Sequence, residues 1–217
     1  CNVTNACDTE ELFRNVVHNA KFLYSSFYTF TNTDVMDLIE KHGCLLKTER
    51  GGRVFPVSDK SSDVIHALTV ALRELGVEVE LHEEVSGVLA EDGHVSGVRL
   101  KRGQKVVPAD AVIVTTGGLS YPSTGSTGDG YRFATELGHT ITELSPALVP
   151  FEAKEAVCKD LQGLSLRNIS VQIRNGKKVL YEEFGEMLFT HFGVSGPVLL
   201  SASSYVASTL KKGPLTL

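Results

Sequence analysis

Alternating helical and extended apolar patterns predict an α/β protein in two parts. An unbroken apolar run, Ala-Val-Ile-Val within residues 110–116, has the composition of a strand buried on both faces of a parallel sheet. A Gly-rich loop and then a helical pattern follow it directly. After Pro150 the pattern turns to extended segments around Asn175-Gly176, the strongest short hairpin signal in the chain. The boundary between the two parts is expected within residues 146–150, giving segments 1–148 and 149–217.

Asp8 followed by Glu11 is a capping-box-like helix start. Leu12, Val16, Leu23 and Phe27 then keep roughly helical spacing, interrupted at Asn19 and Ala20. A second helix is expected over 33–42, with Val35, Met36, Leu38 and Ile39 apolar and Gly43 just past its end. Residues 45–57 read as short extended pieces around a Gly51-Gly52 turn, with Pro56 keeping them out of a central strand. Residues 61–75 are helical, with Val64, Ile65, Leu68, Ala71, Leu72 and Leu75 on one side and Gly76 as the stop. Strands are expected at 77–81, 85–90 and 95–100, the last two joined by Asp92-Gly93, with a short edge piece at 105–107. A helix over 129–137 closes on Gly138. Beyond the boundary, 169–173 and 179–183 flank the hairpin, 186–190 is a further strand and 197–210 is helical.

Bulk properties narrow the function. Of 217 residues, 42% are hydrophobic and 22% charged, which suits a globular protein with a real core. The formal net charge of -5 leaves no basic footprint, so a small-molecule substrate is expected and nucleic acid is not. No apolar run approaches the ~18 residues needed to span a bilayer, so no membrane partner is expected. Cys1, Cys7, Cys44 and Cys158 lack metal-type pairing and read as reduced thiols of a cytoplasmic protein. The histidines show no ligand spacing, so no metal is expected. The chain opens on Cys1 without an initiator methionine. A lipidated first cysteine normally precedes a flexible tether, whereas a capped helix follows here within a few residues, so a missing upstream part is the expectation.

The densest chemical feature is the stretch 115–131, with five glycines among seven Ser or Thr residues. Open α/β sheets bind ligands just beyond the carboxyl ends of their strands. Thr115 and Thr116 end the expected strand. Gly117 and Gly118 carry no side chain, so a flat ring or a phosphate can approach their backbone. Gly128 and Asp129 lead into a helix N-terminus, which favours anions, although Asp129 is itself anionic and its plain role is N-cap. A connector without a ligand is the plain alternative for the whole stretch. Residues 1–5 offer the donors and acceptors of Asn2, Thr4 and Asn5, or simple turn chemistry. Arg53, after Gly51-Gly52, is a fixed cation suited to a carboxylate or phosphate, or a solvated turn residue. Gly193-Val194-Ser195-Gly196-Pro197 departs from the hydrolase elbow at its last position, so Ser195 reads as a helix N-cap and a hydrolase is disfavoured. His191 faces a cleft or, more simply, packs in the core. Tyr121 is a further substrate-side candidate.

Four ordered segments carry a resemblance to a known family: Cys1-Asn2-Val3-Thr4-Asn5, Gly52-Arg53-Val54-Phe55-Pro56, the loop 116–131, and the stretch 185–197 from Gly185-Glu186-Met187 to Gly196-Pro197. The chain resembles the BaiN-like flavoproteins, bacterial NAD(P)/FAD-dependent oxidoreductases. The resemblance implies a partial Rossmann-like FAD-binding domain over 1–148, interrupted by an inserted, smaller, mostly-β domain over 149–217. It implies FAD as cofactor, with NAD(P)H as electron donor. It places Asn2, Thr4, Asn5, Thr116, Gly117 and Gly118 along the flavin, and Val85 at the adenine side through its backbone. Arg53, Tyr121 and His191 become substrate-side candidates; no side chain stands out as an acid–base catalyst. The family's Gly-x-Gly-x-x-Gly unit and its C-terminal part are not in this sequence. The chain alone is therefore expected to be inactive, to hold FAD weakly, and to leave a sheet edge and an apolar face uncovered. A non-catalytic binding module on the same fold is the alternative.

Overall fold

The structure is a computed structural model and describes residues 2–217; Cys1, which opens one of the sequence segments above, lies outside them. Two compact units are present. One holds the residues up to Val70 together with Leu144–Leu217, and the other is Ala71–Glu143. The mixture of helix and strand is α/β, as predicted. The pairings among the described strands are antiparallel throughout, unlike the parallel sheet expected.

The first unit begins with β1 (Thr4–Asn5), α1 (Thr9–Arg14), α2 (Tyr24–Thr29), α3 (Asn32–Lys41), β2 (Leu46–Thr48) and β3 (Arg53–Pro56). Asp8 Oδ1 accepts the Glu11 N–H at 2.7 Å, so α1 starts where the capping signal places it. The expected helical stripe then breaks. Asn19 adopts φ +54°, which ends one helical path and starts another through a short 3-10 turn, Ala20–Leu23. Phe13 is buried against the rings of Tyr24, Phe27 and Tyr28, with centroids 4.4, 5.2 and 5.7 Å away. α3 opens on a full capping box: Thr31 Oγ1 accepts from the Asp34 N–H, and Asp34 accepts from the Thr31 N–H. Gly43, at φ +94°, ends it.

The three strands form a small sheet in the order β1-β3-β2. Pro56 thus belongs to the middle strand, contrary to expectation, and is fully buried. Its missing N–H costs no ladder bond. The Val57 N–H donates to Leu45 O, so the Leu46–Pro56 pair is a non-hydrogen-bonded one, and the β1 pairing stops at Val54. Ile39, Cys44 and Ala67 form the core beneath this sheet. Ala67 lies on α4 (Ser61–Glu74), within which the division between the units falls. Much of the apolar stripe on α4 is uncovered, with Ile65 64% and Leu68 42% exposed.

The second unit is a meander of β4 (Val85–Glu91), β5 (His94–Leu100) and β6 (Val106–Pro108), followed by α5 (Asp129–Glu136). Asp92 (φ +50°) and Gly93 (φ +80°) make the β4–β5 turn, as their identities require. Two expected strands are absent. Residues 77–81 are irregular, with Val77, Val79 and Leu81 exposed. Residues 110–116 are likewise irregular and unpaired, and Ile113 is 87% exposed. An apolar run becomes a strand only beside a partner, and among the described residues none lies alongside it. The last ladder-like bond before it is Ala109 N–H to Ser96 O.

The first unit also holds β7 (Phe151–Glu152), α6 (Val157–Asp160), β8 (Ser165–Asn175), β9 (Lys178–Thr190), β10 (Gly193–Ser195) and α7 (Pro197–Leu210). The sheet order is β7-β10-β9-β8. Asn175 pairs with Lys178, so Gly176-Lys177 is the turn and Gly176 takes φ +57°. α7 packs Val198, Leu199, Ala202 and Val206 onto Val171, Ile173, Met187 and Val194. Ser203 is the buried polar residue here, and its hydroxyl accepts from the Val149 N–H and donates to Leu200 O. Ser195 is not the N-cap predicted for it. It pairs with Leu188 on β10, and Gly196, at φ +102°, caps α7 with Pro197 in the first turn.

Candidate functional site

In the second unit the Gly-rich stretch folds back on itself. The Gly128 N–H donates to Gly118 O at 3.1 Å, bringing residues 116–118 beside the start of α5. Gly117 takes φ +74°. A Cβ on Gly118 would approach the Tyr131 hydroxyl at 3.3 Å, and one on Gly130 would approach Thr116 Oγ1 at the same distance. Gly128, at φ +85°, is the N-cap of α5, and a Cβ there would stand 2.8 Å from Leu119 Cδ2. Thr115 and Thr116 are exposed, as is Tyr121, which takes φ +56° and accepts from the Thr124 hydroxyl.

Asp129 is therefore the first helical residue rather than the cap expected of it, because a left-handed Gly128 makes the entry. Its carboxylate pairs with Arg132 at 2.8 Å and accepts from the Thr127 hydroxyl at 2.9 Å. The Arg132 bond first, and the Thr127 bond second, hold this carboxyl below its usual range. An ionised carboxylate in the first turn already complements the helix dipole, so a phosphate would be repelled here. What the loop offers is exposed glycine backbone and threonine hydroxyls beside a half-buried tyrosine. That set can meet a flat, uncharged ring and offers no counter-charge to a pyrophosphate.

Arg132 was not among the sequence candidates. Its Nη1 donates to Ser86 O at 2.7 Å, so α5 is tied to the start of β4, where Val85 pairs with Leu100. The Asp129, Arg132 and Glu136 spacing was a readable sign of ion pairing, but the reach to Ser86 was not.

In the first unit, Thr4 and Asn5 pair with Val54 and Arg53. Asn5 holds the Gly51-Gly52 turn: its Nδ2 donates to Gly51 O at 2.9 Å and its Oδ1 accepts from the Cys7 N–H at 3.0 Å. A Cβ on Gly52 would overlap Asn5 Oδ1. Asn32, also missed in the sequence, donates from Nδ2 to the carbonyls of Asn5 and Cys7 at 2.6 and 2.8 Å. Arg53 is exposed, 3.7 Å from Glu49 and over the Phe55 ring at 5.7 Å. Asn2 is exposed. His191 is on the exposed turn between β9 and β10, edge-on to Phe192 at 4.9 Å, not packed in the core. Among the described residues no group of three His, Cys, Asp or Glu side chains is placed to hold a metal ion. No helix among them is long and apolar enough to cross a membrane.

These features define an α/β protein with a glycine-rich loop closed onto a helix start. Comparison with known sequences supplies the family: the chain belongs to the one described as HI0933-like protein Rossmann domain, which matches residues 1–207. It is 29% identical over 98% of its length to a 3-dehydro-bile acid delta(4,6)-reductase of Clostridium scindens, covering 50% of that protein. It is similar to proteins named ribosomal RNA dihydrouridine synthase from Escherichia coli and Haemophilus influenzae. The identities are 29% and 30%, over 94% of this chain and 49% and 50% of theirs. The chain thus spans about half the length of these curated relatives. A solved flavocytochrome c3 fumarate reductase, in its open conformation, aligns over 77% of this chain and 39% of its own at a TM-score of 0.47 and 18% identity.

Proposed function

We propose that the full-length protein binds FAD and catalyses a flavin-dependent reduction of a small molecule, with NADH or NADPH as electron donor. The observation that carries this is the closed Gly-rich loop, which presents Gly117 and Gly118 backbone next to Thr116 in a member of a Rossmann-domain family. Asn2, Thr4, Asn5, Val85, Thr115, Thr116, Gly117, Gly118, Gly128 and Asp129 are assigned to the cofactor. Arg53, Tyr121 and His191 are assigned to the substrate side. When bound, FAD supplies the redox chemistry; the chain's own residues shape and orient the site. The relatives' names, a delta(4,6)-reductase and dihydrouridine synthases, both denote hydrogen added across a double bond. A carbon–carbon double bond conjugated to a carbonyl is accordingly the substrate class proposed here. The net charge of -5 favours a small molecule over RNA. Residues 1–148 are assigned to the FAD domain and 149–217 to an inserted, mostly-β domain of a cytoplasmic protein. The exposed run at 110–116 is assigned to a sheet completed by the rest of the protein.

The test is the absorbance spectrum of the intact protein, followed by oxidation of NADH or NADPH in the presence of small enones or of uridine-containing RNA. Bound flavin and turnover with an enone are expected. A folded, colourless protein that added FAD cannot load refutes the proposal, and turnover confined to RNA refutes the substrate class. A second reading, a non-catalytic binding module, is favoured by Asp129, which closes the α5 N-terminus to phosphate. It predicts no turnover with any electron acceptor.

A further inference from the structure

The cofactor residues assigned to the second unit lie on two separate elements: β4, which carries Val85, and the loop folded against α5. One side chain joins them. Arg132 Nη1 donates to Ser86 O at 2.7 Å and to Glu136 Oε1 at 3.1 Å, while Nη2 donates to Asp129 Oδ1 at 2.8 Å. Ser86 adjoins Val85, and Asp129 follows Gly128, whose N–H holds Gly118. A continuous path therefore runs from Val85 through Arg132 to Gly118. Helix-surface ion pairing needs only Asp129 and Glu136, which lie three and four residues away. The bond to Ser86 crosses 46 residues and has no such explanation. It uses the planar fork of the guanidinium, which a lysine ammonium does not reproduce.

We infer that Arg132 is a positioning residue: it fixes the spacing between β4 and the Gly-rich loop, so that both meet one dinucleotide together. The inference rests on the FAD reading above. A dinucleotide gains affinity over its two halves when the elements that bind them are held at the right separation. Loosening that separation weakens the whole ligand and spares the parts. A residue serving only the fold weakens all three alike.

The experiment measures FAD, FMN and AMP affinity by titration calorimetry on the intact wild-type protein and on Arg132→Met. The expected result is FAD binding at least about tenfold weaker, with FMN and AMP within about twofold of wild type. Arg132→Lys is expected to behave like Arg132→Met. Unchanged FAD affinity, equal weakening of all three ligands, or full rescue by lysine overturns the inference while leaving the FAD reading standing. Should Arg132→Met fail to fold, Glu136→Gln, which weakens the Nη1 contact while preserving shape, is expected to show the same selective loss, and its absence overturns the inference. A wild-type protein that does not bind FAD overturns both.

Discussion

Gly52→Ala tests the corner that holds Asn5. Gly52 has φ +71°, a conformation that costs an L-residue about 1–2 kcal/mol. Its new Cβ would also overlap Asn5 Oδ1, and Asn5 can withdraw only by giving up its bonds to Gly51 O and the Cys7 N–H. Both bonds are partly solvated, so ~0.5–1 kcal/mol each is reasonable. The sum is about 3 kcal/mol. Gly51→Ala is the control. Its φ of +79° carries the same backbone cost, but nothing lies within 4 Å of its Cβ, so about 1–2 kcal/mol is expected. Urea unfolding of the two variants measures the difference, and repeating Gly52→Ala in an Asn5→Ala background isolates its cause. There the cost should fall to that of Gly51→Ala. Equal costs for the two glycines, or an unchanged cost without the Asn5 side chain, would refute the reasoning.

Two further outcomes follow from the same geometry. Leu199 is fully buried on α7 against the sheet, so Leu199→Ala should destabilise the protein by about 2–5 kcal/mol, measured by thermal or urea unfolding. Asp129 has a folded-state carboxyl held below its ordinary value, first by Arg132 and then by Thr127. Its contribution is therefore complete above the unfolded carboxylate value near ~3.9 and is lost as pH falls through the lower folded value. Amide exchange at the start of α5 should rise in that acid window, and Asp129→Asn should remove the rise; a rise that persists in the variant contradicts the assignment.

Local chemistry was legible in the sequence wherever a residue acts on its near neighbours. Asp8 caps α1, Asp92-Gly93 turns β4 into β5, and Gly43, Gly76 and Gly138 all take positive φ at helix ends. The two cap assignments that shifted, Asp129 and Ser195, moved by one residue for one reason. A glycine at positive φ, Gly128 or Gly196, makes each helix entry without a side-chain cap. What the sequence could not show was partnership at a distance. Residues 110–116 have the composition of a buried strand, but composition reports a preference for burial and not what lies alongside. Pro56 in a middle strand depends on where β1 stops. Of the candidate residues, the glycine loop was readable as a cluster because its members are contiguous. Arg132 was not, because its decisive bond is to a carbonyl 46 residues away.

The hairpin of β8 and β9 also governs how its unit comes to fold. Its turn is two residues long, and β10 and α7 follow at once along the chain. Most of the sheet and its helical cover can therefore assemble while closing only short loops, which costs little chain entropy. The exceptions are the pairing of β10 with β7, at Val194 and Phe151, and the bridge of Arg174 to Thr216. Kinetically, the hairpin with α7 should form the nucleus, with these two distant closures falling late. Mutations at Val171 or Leu199 should then slow folding, while those at Phe151 should mainly hasten unfolding.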